Sequence, residues 1–225
     1  MFLVPYVMKC PHCSSKILYK LSSSQYKCSK CRRKFSLKKI QRDLDTISSF
    51  CENLTAYQTA SKLGIHYNTV KDRYDYFRKL IAQYLEDEYR GKEIVEYDEY
   101  IYLEKNKKKV DKNIFDAQDF LTFHYEDNVY NLLMTDMNQY KREFLDDGLD
   151  KAYFKEFSRY MMLNKIAKIQ KLDNIITKFW IYFEQEILKY KGIKRENFFY
   201  YLKEIEFKFN YNKDEQEQIL KKLYM

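Results

Sequence analysis

Cys10-Pro11-His12-Cys13 and, fourteen residues later, Cys28-Ser29-Lys30-Cys31 are the stretches whose reading decides the N-terminal fold. A C-x-x-C knuckle turns tightly enough to aim two thiolates at one ion, and the intervening residues form a hairpin that brings the two pairs together. Four thiolates close a tetrahedron and leave no open position for water. The pattern therefore predicts a structural Zn²⁺ held by Cys10, Cys13, Cys28 and Cys31. His12 lies between two ligands of one knuckle, where a further bond to the same ion would be strained, so it is read as a non-ligand. Disulfides are the competing use of paired cysteines. The opening MFLVPYVMK carries neither a basic n-region nor an A-x-A-like cleavage site, and the expectation is a reducing, intracellular setting.

Outward from the knuckles, Ile17-Leu18-Tyr19-Lys20 and Tyr26-Lys27-Cys28 read as short strands. Residues 1–40 are expected to form a zinc ribbon whose folding energy comes from the metal. The same forty residues hold ten Lys or Arg and no Asp or Glu, whereas the whole chain is only +8, so the other 185 residues sum to −2. One basic block on a near-neutral body is the footprint of a polyanion ligand. Nucleic acid is favoured over membrane because no amphipathic apolar face accompanies the charge. Arg32, Arg33 and Lys34, just past the second knuckle, are candidate phosphate contacts.

Four Gly and two Pro in 225 residues argue against long turn-rich β architectures. No apolar run approaches the roughly 18–20 residues needed to cross a bilayer. Over residues 41–90, Leu44, Ile47, Phe50 and Leu54 recur at helical spacing. Thr55 then caps a short helix that buries Ala60 and Leu63, Gly64 supplies a left-handed turn residue, and a second helix from Tyr67 or Asn68 buries Val70, Tyr74 and Phe77. Small Ala, turn Gly and apolar Val fall where two steeply crossed helices touch, which is the helix-turn-helix pattern. Tyr67, Asn68, Thr69, Lys71 and Arg73 would then face base edges or phosphates of double-stranded DNA.

From residue 93 the pattern changes. Glu96-Tyr97-Asp98-Glu99-Tyr100-Ile101 alternates as a strand does, and a second strand-like run from Val129 ends on Thr135-Asp136. A helix carrying Phe179-Trp180 and the closing Phe207-Lys208-Phe209-Asn210 follow. Ribbon, helix pair, these two acidic phrases and this tail, in this order, resemble the insertion-sequence transposases that join an N-terminal zinc ribbon to an RNase H-like DDE core. The resemblance implies an α+β multidomain chain: a ribbon at 1–40, a helix-turn-helix domain at 41–90, and a shortened RNase H-like α/β core with a helical C-terminal part at 91–225.

By motif position Asp98 resembles the first catalytic acid and Asp136 the second. The third lies three residues before the Phe-Trp pair, where this chain has Thr177; Asp173, one turn earlier on the same predicted face, could substitute. In that family three acids hold two Mg²⁺ or Mn²⁺ ions for DNA cleavage and strand transfer. Two readings follow: an active transposase, or a catalytically dead, transposase-derived DNA-binding or regulatory protein. Both imply double-stranded DNA as partner, no membrane, a cytoplasmic, nucleoid-associated location, and admit a homo-oligomer on the DNA.

Overall fold

The computed structural model describes residues 9–22, 24–104, 107, 113, 116–134, 159 and 174–224. Among them are two three-stranded antiparallel sheets and six α-helices, a mixed α+β chain. The helices are α1 (Leu37–Cys51), α2 (Ala56–Leu63), α3 (Tyr67–Tyr89), α4 (Ile175–Glu186), α5 (Phe198–Asn210) and α6 (Lys213–Tyr224). The chain divides into two compact units, one running to Leu80 and resuming at Tyr211, the other spanning Ile81–Asn210. None of the described helices is long and apolar enough to cross a membrane.

In the first unit β1 (Leu18–Lys20), β2 (Gln25–Cys28) and β3 (Lys34–Ser36) pair in sequence order. Leu18 lies opposite Cys28, and Lys27 faces Tyr19 on one side and Lys34 on the other. One face carries Tyr26 and Phe35, stacked at 6.1 Å between centroids. So few apolar groups cannot hold a sheet of three- and four-residue strands, and the cysteines must contribute.

The helices of this unit close around Phe50 on α1. Its ring meets Tyr74 at 4.9 Å and Phe77 at 5.6 Å, both edge-on, and Phe77 also meets Tyr224 of α6 at 5.5 Å. Each fully buried Phe here contributes about 1.5–3 kcal/mol by apolar burial. α2 is framed by local chemistry. Thr55 and Gln58 form a reciprocal capping box, and Gly64, in the left-handed region at φ 63°, ends the helix. Val70, Tyr74 and Phe77 are buried as their spacing predicts. The sequence boundary at 90/91 assigns the tail to the C-terminal domain, but compactness returns it to this unit. Leu220 is buried, and Ser48 donates to Glu217 at 2.9 Å.

The second unit is built on a meander, β4 (Glu96–Tyr102), β5 (Gln118–Tyr125) and β6 (Asn128–Leu133). Register gives it two apolar faces. Tyr100, Tyr102, Phe120 and Val129 share one and pack on Ile176, Phe179, Trp180, Phe183 and Leu202 of α4 and α5. Phe123, Tyr125 and Tyr130 share the other, where Tyr130 stacks on Tyr89 at 3.9 Å and 4°.

Through the first face runs a buried polar chain. The Trp180 indole donates to Thr122 Oγ1 at 2.9 Å, Thr122 donates to Asn131 Oδ1 at 2.7 Å, and Asn131 donates through both its backbone and side-chain nitrogens to Glu206 at 2.9 Å. Lys203, fully buried, pairs with Glu206 at 3.2 Å and lies 3.5 Å from the centre of the Tyr130 ring. Burial pushes the Glu206 carboxyl up and the Lys203 ammonium down, and their mutual attraction opposes both shifts. Glu206→Leu should destabilise the second unit by about 3–5 kcal/mol, because it removes the buried carboxylate from Lys203 and leaves it only the more distant Glu86, at 3.9 Å. Lys203→Met with Glu206→Leu should recover most of that loss in urea unfolding; a double variant no better than the single one would contradict this role.

Candidate metal centre and nucleic-acid interface

Both cysteine knuckles are built alike. Cys10 accepts from the Ser14 amide and donates its own to Ser15, each at 2.8 Å, while Ser14 takes φ 56°. In the second knuckle the Cys28 amide donates to the Arg33 carbonyl at 3.0 Å, and Arg32 takes φ 57°. The left-handed residue after the second cysteine of each pair folds the loop back beneath its sulfurs. Cys10 Sγ lies 3.5 Å from Cys31 Sγ, and Cys13 Sγ 3.5 Å from Cys28 Sγ. All four sulfurs fall within 4.8 Å of one another, and none is in a disulfide.

That donor set fits a tetrahedral thiolate site, in which sulfurs about 2.3 Å from Zn²⁺ stand about 3.8 Å apart. The cluster could hold a structural metal such as zinc. Desolvation opposes the Cys28 thiolate, but the Cys31 amide and the neighbouring thiols donate to it and bring its pKa down to about 6. For Cys31, the Arg33 amide favours the thiolate, yet desolvation and sharing of its proton with the other sulfurs push it up to about 11. Sulfurs so close ionise together only around a cation. His12 is exposed and outside the cluster, and Cys51 is a buried residue of α1.

The expected nucleic-acid contacts divide. Arg32, Arg33 and Lys34 are exposed beside the second knuckle. Tyr67, Asn68, Thr69 and Lys71 are exposed on the first turns of α3, Lys71 in an ion pair with Asp75 at 2.7 Å. Arg73 departs from the sequence reading. It turns inward to Asp43 of α1 at 2.5 Å, with side chains only 15% and 8% exposed, and so ties two helices together.

Of the carboxylate candidates, Asp98 falls among the described residues. Asp98 lies on β4 directly across from Thr122, which in turn faces Asn131 on β6. β4 and β6 are separated by β5, so the two acidic runs are not on adjacent strands. Asp136 and Asp173 lie outside the described residues. Thr177 is 2% exposed and belongs to a capping box: its amide donates to Asn174 Oδ1 at 2.9 Å while its hydroxyl accepts from the Asn174 amide at 3.2 Å. The Asn174 side-chain amide also reaches β4, donating to Glu96 at 3.2 Å. Glu96 also stands 3.3 Å from His124 Nδ1. The signal missed in the sequence was the N-x-x-T spacing of Asn174 and Thr177, a helix start rather than a ligand pair.

Comparisons with protein-family models, curated proteins and solved structures give no match for this chain.

Purified without chelator, the chain should carry one Zn²⁺, and Cys28→Ser should release it and unfold residues 9–36, read by elemental analysis and amide exchange. Protein that is folded in this segment and free of metal would contradict the site.

Proposed function

We propose that this chain is a transposase-like DNA-binding protein, in which residues 37–80 act as a helix-turn-helix unit on duplex DNA and the basic N-terminal segment acts as a zinc ribbon that attracts the phosphate backbone. The observation that carries the reading is the exposed start of α3. Tyr67, Asn68, Thr69 and Lys71 are exposed on the first turns of a helix that buries Val70, Tyr74 and Phe77, the two rings edge-on to Phe50. The left-handed Gly64 turns the chain between α2 and α3, and Thr59 of α2 shares a hydrogen bond with Tyr74 of α3 at 2.7 Å. Such a helix end can enter a major groove, and the acid-free segment of ten cations beside it supplies sequence-independent attraction. With four thiolates and one divalent ion in place, that segment keeps a net charge of about +8. A DNA partner implies a nucleoid location.

Strand cleavage is a second reading, supported by Asp98 standing on the sheet face that α4 crosses with Trp180. At the position of the third acid, Thr177 is a buried helix cap and offers no charge. On that face Asp98 and Glu96 of β4 supply carboxylates, and Glu184 of α4 accepts from Tyr100 beside them at 2.6 Å. The uncharged Thr177 favours regulatory or architectural binding without cleavage over an active site.

Duplex affinity should fall steeply with salt, with log K changing by about −0.9 per phosphate contact against log salt. Arg32→Ala or Arg33→Ala should weaken all duplexes alike, whereas Asn68→Ala should cost about 1–3 kcal/mol of sequence discrimination. Arg73→Ala should act through folding, lowering stability by about 3–5 kcal/mol by stranding the buried Asp43. Fluorescence anisotropy and thermal unfolding separate these effects. A folded, metal-loaded chain without duplex affinity at low salt would refute the proposal.

A further inference from the structure

The face of the N-terminal sheet opposite Tyr26 and Phe35 carries a pattern that duplex binding leaves unexplained. Strand alternation places Ile17, Tyr19 and Leu21 there together, at 64%, 59% and 47% exposure. Leu21 and Ile17 extend the ladder beyond β1, the Leu21 amide donating to Gln25 at 2.9 Å and the Ser29 amide to Ile17 at 3.1 Å. Across the strands Tyr19, Lys27 and Lys34 stand in one row. With strands about 4.8 Å apart, that row spans about 10 Å. An exposed ring flanked by two aliphatic side chains and backed by two cations is amphipathic in a specific way: apolar at one edge of a flat surface, cationic at the other.

We propose that this face is a platform for single-stranded DNA, with an unpaired base stacked on Tyr19, Ile17 and Leu21 gripping its edges, and Lys27 and Lys34 meeting the adjoining phosphates. Charge complementarity selects a polyanion, since residues 1–40 contain no Asp or Glu. The apolar edge selects unpaired bases, because a duplex keeps its base faces stacked inside and offers Tyr19 only sugar and phosphate. Flat sheets with exposed aromatic rings stack bases without needing hydrogen-bond readout. A second copy seated here through the same acid-free segment would set like charges against the two lysines. The inference rests on the proposed DNA-binding function and shares Lys34 with it, but its stacking edge at Ile17, Tyr19 and Leu21 is its own, so Tyr19 tells the two apart. It gives the chain two modes on one molecule: duplex recognition through α3, and capture of an opened or frayed end through the sheet.

The test uses the full, zinc-loaded chain with a fluorescent oligo-dT and, separately, a duplex. Tyr19→Ala should weaken oligo-dT binding roughly five- to 150-fold, as expected for loss of one stacked base, and leave duplex affinity unchanged. Tyr19→Phe should retain both, and Tyr57→Ala, a more exposed ring on α2, should leave oligo-dT affinity unchanged. Oligo-dT affinity should fall with salt by a log–log slope of only about −1.4, for two phosphates. A 5-bromouracil oligonucleotide should photocrosslink to Tyr19 in the unmodified chain, a readout independent of whether the alanine variant folds. Absence of oligo-dT binding, equal loss of duplex and single-strand affinity in Tyr19→Ala, crosslinking confined to other residues, or a change of oligomeric state in Tyr19→Ala with DNA binding intact would each overturn the proposal. None of these outcomes overturns the function proposed above, which falls if the unmodified, zinc-loaded chain has no duplex affinity at low salt.

Discussion

Four sulfurs within 4.8 Å of one another set the geometry of everything around them. They bring the loop at 10–13 to the loop at 28–31 and so fix the register in which Leu18 faces Cys28. Because side chains alternate along a strand, that register decides which groups turn inward and which face outward. Tyr26 and Phe35 fall on one side, and Tyr19, Lys27 and Lys34 on the other. A one-residue slip would exchange the two sets. β3 then passes into α1 with no intervening residue, so the placement of the basic loop beside the helices also follows from the cluster.

The second unit achieves specificity by other means. Its sheet and helices are rich in rings, and aromatic stacking tolerates small shifts in register. Hydrogen bonds do not. The chain from Trp180 through Thr122 and Asn131 to Glu206 links α4, β5, β6 and α5 at fixed distances of 2.7–2.9 Å. Each polar group in it is buried and would be costly if left unpaired. The same face holds Asp98, opposite Thr122. Thr122 and Asn131, the polar residues that the sheet brings under α4 beside Asp98, are thus engaged in holding the fold.

Legibility in the sequence followed the range of the interaction concerned. The cysteine spacing was decisive because ligand geometry around one ion permits few arrangements. Thr55, Gln58 and Gly64 were readable because caps and left-handed turns act within a few residues. Arg73 was not: counting along a helix places it near an exposed face, and only the fold brings Asp43, thirty positions away, within 2.5 Å. Neither was the order of β4, β5 and β6, since two acidic strands can be neighbours or can flank a third. Lys203 and Glu206 look like solvent-facing residues of an amphipathic helix, yet both are fully buried, and no periodicity distinguishes a buried ion pair from an exposed one.

Amide hydrogen exchange of the zinc-loaded chain, with and without a bound duplex, tests the central claim most directly. The account predicts slowed exchange confined to residues 64–72 and to 25–36, with β4 and α4 unchanged. Protection centred on 96–102 and 174–186, with the start of α3 exchanging as freely as before, would contradict it.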